Sequence, residues 1–87
     1  MVKNPIKELI KNIDKVEAEL DPRSESNDNQ IIDIWYRDLS GEFHIVKDSS
    51  GEITLANLNI PGQRIETLTT NTKTKRLAKL ISEKVEK

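Results

Sequence analysis

Apolar residues recur at three- and four-residue steps at Ile6, Leu9, Ile10, Ile13, Val16 and Leu20, which is one stripe along a helix. Asn4-Pro5 opens this helix, with asparagine as cap and proline pre-organised for the first helical position. Lys3, Lys7, Lys11 and Lys15 follow at four-residue steps on the opposite side. Asp21-Pro22 ends it, because the residue before a proline disfavours the α region. A second stripe of Leu77, Leu80, Ile81 and Val85, with Ala78 alongside, predicts a C-terminal helix capped by Asn71 or Thr72.

Between the helices the period changes. Residues 22–30 form a polar connector without an apolar side chain, and runs rich in β-branched and aromatic residues at 31–37, 43–47 and 53–59 predict strands. Pro61-Gly62 breaks the last run. Residues 64–70 carry four β-branched residues and predict a fourth strand, although Ile65 and Leu68 would also suit an extra helical turn. The expected class is α+β: an N-terminal helix, a three- to four-stranded antiparallel meander and a C-terminal helix, in a single domain over residues 1–87.

The strands are separated by a repeated pattern, Asp-Leu-Ser-Gly-Glu at 38–42 and Asp-Ser-Ser-Gly-Glu at 48–52. Aspartate opening a turn, with glycine three residues on, predicts a type I turn closed by a left-handed residue in a hairpin. If each Asp pairs with its Glu, cross-strand partners sum to 80 in the first hairpin and to 100 in the second. Trp35 then faces Ile45 and Ile45 faces Leu55, in a row with Ile31, Phe43 and Ile53 as the core face. The same register sets Asp33 opposite Lys47. Ile32, Ile34, Tyr36, His44, Val46, Thr54, Ala56 and Leu58 occupy the other face. That second face is too apolar for water, so either one helix covers it or both helices pack on the Trp35 face and leave it to a second chain.

Composition narrows the class. Leu, Ile, Val and Phe make up 24 of 87 residues, above the level at which disorder becomes the better reading. The net charge of −1 gives no global attraction to nucleic acid or anionic lipid. The chain has no cysteine, which removes disulfide scaffolds and thiolate metal sites, and no apolar run long enough for a membrane span. Residues 1–11 lack the apolar region of a secretory signal. A cytoplasmic protein is the expectation.

Candidate chemistry is sparse. His44 is the only histidine and sits mid-strand, so a hydrolase triad would have to be built around it, and there is no Gly-x-Ser-x-Gly elbow to expose a serine. Asp48, Ser50 and Glu52 resemble a fragment of a calcium loop, but Gly51 is fourth where such a loop wants glycine sixth, and the copy at 38–42 assigns the pattern to a turn. The three glycines lie apart, without a phosphate-cradling loop. No enzyme activity, metal or cofactor is expected.

Charge is uneven along the chain. Residues 71–87 carry six basic and two acidic residues, whereas residues 14–52 carry eleven acidic and four basic ones. The second apolar face of the sheet, rather than the charge, sets the expected function: a small non-catalytic interaction or regulatory module acting by protein–protein contact, as a homodimer, with Ile34, Tyr36, His44, Val46 and Ala56 as the partner surface. The alternative is a nucleic-acid-binding accessory protein using Arg64, Lys73, Lys75, Arg76 and Lys79.

Overall fold

A computed structural model describes residues 5–61 and 72–86. Helix α1 (Pro5–Lys11) leads through a 3-10 turn (Ile13–Lys15) into strand β1 (Glu17–Leu20). Strands β2 (Asn29–Tyr36), β3 (Leu39–Lys47) and β4 (Ile53–Asn59) follow, and helix α2 (Thr72–Val85) closes the order. The sheet is a four-stranded antiparallel meander in the order β1-β2-β3-β4. The α+β class is as the patterning predicts.

The first helix is shorter than its stripe suggests. The Asn12 amide donates to the Glu8 carbonyl at 3.0 Å and occupies the end of the α ladder, after which the chain tightens into the 3-10 turn. Beyond it, Val16-Glu17-Ala18-Glu19-Leu20 alternates apolar and polar residues with period two, and it pairs with β2 as a strand (Ala18 with Ile34, Leu20 with Ile32). The helical stripe and this alternation share Val16 and Leu20, and the sheet takes the segment because β2 offers it a ladder. The fourth described strand is therefore β1. The strand expected at 64–70 lies outside the described residues.

Registers differ from those the paired turns imply. Across β2 and β3, Tyr36 pairs with Leu39 and Ile32 with Phe43, so partners sum to 75 rather than 80. Trp35 lies opposite Ser40, not Ile45, and Asp33 lies opposite Glu42, not Lys47. A sum of 80 joins even positions of β2 to even positions of β3. The apolar sets are even on β2 (Ile32, Ile34, Tyr36) and odd on β3 (Leu39, Phe43, Ile45), so only an odd sum buries both. The β3–β4 hairpin behaves differently. Lys47 pairs with Ile53 at the expected sum of 100, then a bulge at Val46/Lys47 makes Thr54 the extra residue and moves the ladder to 101. Phe43–Leu58 and Ile45–Ala56 then lie on the buried face.

Both helices lie on this one face. Ile6 and Leu9 of α1 and Leu77, Ala78 and Ile81 of α2 join Val16, Ile32, Ile34, Tyr36, Phe43, Ile45, Ala56 and Leu58 in one buried cluster. Fully burying side chains of this size is worth about 1.5–3 kcal/mol each. The opposite face carries Glu17, Glu19, Ile31, Asp33, Trp35, Glu42, His44, Val46 and Leu55, by alternation from the same registers.

Candidate functional site

The five residues expected to form one partner surface are divided between the two faces. Ile34, Tyr36 and Ala56 are buried, in one cluster with Leu9 of α1 and Leu77 and Ile81 of α2, so they present no surface to a partner. His44 and Val46 stay half-buried on the side that the described helices leave open. The odd-sum register causes the division, because it turns β2 over relative to β3.

The face that the described helices leave open is a mixed surface. Trp35 stands 40% exposed at one end, beside Glu17 and Ser40 in its cross-strand row. Ile31, Val46 and Leu55, all half-buried, make an apolar strip at the other end. Between them runs a row of carboxylates: Glu19 pairs with Asp33, and Asp33 with Glu42. Like charges directly opposite in a sheet oppose folding. Asp21, just past β1, joins them, and carboxylate oxygens of Asp21, Asp33 and Glu42 lie within 4.8 Å of one another.

Arg23 answers this charge from the connector. Its Nε donates to Asp21 Oδ1 at 3.1 Å and its Nη2 to Asp21 Oδ2 at 3.2 Å, and the same Nη2 is ion-paired with Glu42. The fork is the geometry a guanidinium prefers with a carboxylate. It holds the Asp21 carboxyl down to about 2, with the Arg23 backbone N–H as the next cause. Asp33 moves the other way: burial, then the neighbouring Asp21, pushes its carboxyl up. The three carboxylates have the oxygen donors of a hard-cation site, but such an ion would have to displace Arg23. His44 sits on the same face, where its Nε2–H donates to Asn29 Oδ1 at 2.8 Å, and Asn29 Nδ2 donates to Glu25 at 2.9 Å.

A second cluster joins the sheet to α2 on the helix side. Lys47 Nζ donates to Ser82 Oγ at 2.9 Å and to Glu86 Oε2 at 2.8 Å. Buried Gln30 meets the Ser82 hydroxyl at 3.0 Å, and Ser82 also bonds Glu86. Serine beside lysine is a pairing that some hydrolases use, with a neutral lysine as base. Here the lysine is committed as a cationic donor to Glu86, whose carboxyl is lowered by Lys47 first and Ser82 second. The arrangement is a clamp that satisfies Gln30 and Ser82, each 2% exposed.

The residues of the nucleic-acid alternative come partly together. Lys75, Arg76 and Lys79 line a cavity of about 560 Å³ between α2 and the β3–β4 hairpin, with Lys47 at one side. Glu52, Glu83 and Glu86 line it too, so four cations share it with three carboxylates. Lys73 is on the exposed side of the first turn of α2. Arg64 lies outside the described residues.

Sequence reasoning missed the row Glu19–Asp33–Glu42, and a signal for it existed. Each of β1, β2 and β3 carries an acidic residue in its more polar alternation, and the observed registers align them. No protein-family profile, curated protein or solved structure matches the chain. Among the described residues no helix is long and apolar enough to cross a membrane.

Proposed function

We propose that the protein is a non-catalytic interaction module that docks another protein on the sheet face its helices leave open. The observation that carries this reading is the one-sided packing: α1 and α2 share one cluster with the buried face, while Trp35 remains 40% exposed on the other. An exposed indole on a rigid sheet is the kind of anchor protein interfaces use. The cover over Tyr36 removes the reason for expecting a second copy there. Face-to-face pairing of two open faces would also bring carboxylate rows together, which favours a different partner.

Selection from a displayed library of random peptides tests this reading. Binders of the intact chain that fail to bind a folded Trp35→Lys variant are the expected result. Selected peptides that bind both forms alike would remove the sheet face from consideration.

The cavity that collects Lys75, Arg76 and Lys79 favours a second reading, contact with nucleic acid through α2. That reading requires binding that weakens steeply with salt and is lost on charge reversal of Lys75 and Arg76. A retardation assay with single-stranded and duplex probes at low salt decides it.

A further inference from the structure

We infer that the open sheet face docks a cationic polypeptide segment in extended form, with one arginine or lysine side chain against Trp35 and a second over the carboxylate row. The inference rests on the docking reading above and names the chemistry of the partner.

Charge complementarity is the first ground. Glu17, Glu19, Asp33 and Glu42 project from β1, β2 and β3 on this face, Asp21 stands at its margin, and Arg23 reaches Asp21 and Glu42. An anionic polymer or a second acidic face would be repelled, whereas a basic segment gains on approach. The row also works against the fold, since Glu19, Asp33 and Glu42 are aligned across three strands. A surface with no role beyond solubility gains nothing from that alignment.

Arg23 supplies the second ground. The face already holds a guanidinium, forked on Asp21 and reaching Glu42. Its side chain is 61% exposed, so it can be exchanged for a guanidinium brought by a partner. Arg23 then acts as an internal competitor.

Trp35 is the third ground. It lies two residues from Asp33 on the same side of β2, roughly 7 Å along the strand, with Glu17 opposite. An indole among carboxylates suits a cation better than a neutral apolar group, because ring and carboxylates attract the same charge. Alternate residues of an extended chain have the same spacing of roughly 7 Å. A segment with basic residues at positions i and i+2 thus matches Trp35 and the row together.

The test uses the full chain and hexa-arginine, followed through the emission of Trp35, the single tryptophan. The expected result is a saturable change whose affinity falls as salt rises. Asp33→Asn with Glu42→Gln should weaken binding about tenfold or more. Glu52→Gln with Glu83→Gln, which removes the same charge from the helix side, should alter it by less than about twofold. Arg23→Ala should tighten binding several-fold, an effect that a purely structural role for Arg23 does not produce. Equal weakening by both double variants, or no saturable change, overturns the inference. Calcium chloride alone reproducing the emission change through Asp33 and Glu42 would assign the row to a metal ion and overturn it too. If hexa-arginine fails while the displayed library still yields Trp35-dependent peptides, the docking reading stands and the cationic partner falls.

Discussion

At 48–52 the Asp-x-Ser-Gly-Glu pattern closes a hairpin, whereas at 38–42 the same pattern runs into and along β3. In the second copy Asp48 Oδ1 accepts the backbone N–H groups of Ser50 at 2.9 Å and Glu52 at 3.0 Å. Gly51 takes φ 87° there, the left-handed position that glycine fills without strain. The Ser50 hydroxyl, then the Glu52 N–H, keeps the Asp48 carboxyl below its usual range. In the first copy the turn is displaced to Arg37 and Asp38, with Arg37 at φ 56°, and Gly41 is a strand residue.

The x position separates the copies. Ser49 is exposed at the tip, while Leu39 is half-buried and packs against the core. Holding Leu39 in a turn would expose it and would turn Ile32, Ile34 and Tyr36 away from Phe43 and Ile45. Burying those side chains, worth about 1.5–3 kcal/mol each, outweighs the preference of one turn. The second hairpin meets the same conflict at smaller cost. It keeps its turn and spends one bulge to bring Ala56 and Leu58 inward.

Adjacent residues of β2 give the largest test of that difference. Tyr36→Lys places a charge in the core and should cost about 3–5 kcal/mol or unfold the chain. Trp35→Lys should cost about 1 kcal/mol or less. Urea denaturation followed by circular dichroism separates the two, and a register of 80 would reverse their order.

The two glycines differ next. A Cβ on Gly41 would lie 2.8 Å from the Asn59 carbonyl oxygen and 3.1 Å from Ile60 Cγ1, while one on Gly51 meets nothing within 4 Å. Gly41→Ala should therefore cost about 2–3 kcal/mol through overpacking. Gly51→Ala should cost about 1 kcal/mol through its positive φ. Asparagine, which tolerates the left-handed region, should recover part of the loss at position 51 and none at 41, as thermal melts would show.

Exchanging the x residues is a gentler probe. Leu39→Ser should lower stability by about 1 kcal/mol through lost burial, whereas Ser49→Leu should stay within about 0.5 kcal/mol. Denaturant midpoints measure both.

The smallest effect concerns the carboxylate row that the shifted register creates. Folding favours protonated Asp33, so the stability from this group is full below its unfolded value near 3.8 and is lost as pH rises through the raised folded value. Asp33→Asn should stabilise the chain at neutral pH by roughly 0.2–1 kcal/mol. Melts between about pH 3 and about pH 7 should show that gain vanish toward acid.

Much of this was legible in the chain. The α+β order, the bounds of β4, the start of α2 and the turn on Asp48 all follow from local chemistry. Registers are harder, because they depend on which alternation is buried, and a turn motif can point elsewhere. At β2 and β3 each strand's own alternation already required an odd sum, and the turn at 38–42 was the misleading signal. The strand at Glu17–Leu20 was hidden because Val16 and Leu20 satisfy both a helical and a strand period. The carboxylate row depended on both of these points and could emerge only after them.

Which side of the sheet is open decides both the register and the docking surface, and quenching of Trp35 by acrylamide in the free, folded chain measures this most directly. Ready quenching, close to that of the unfolded chain, is the predicted result. A tryptophan shielded in the native state and exposed only on unfolding would place Trp35 in the core, restore the register of 80 and contradict an open Trp35 face.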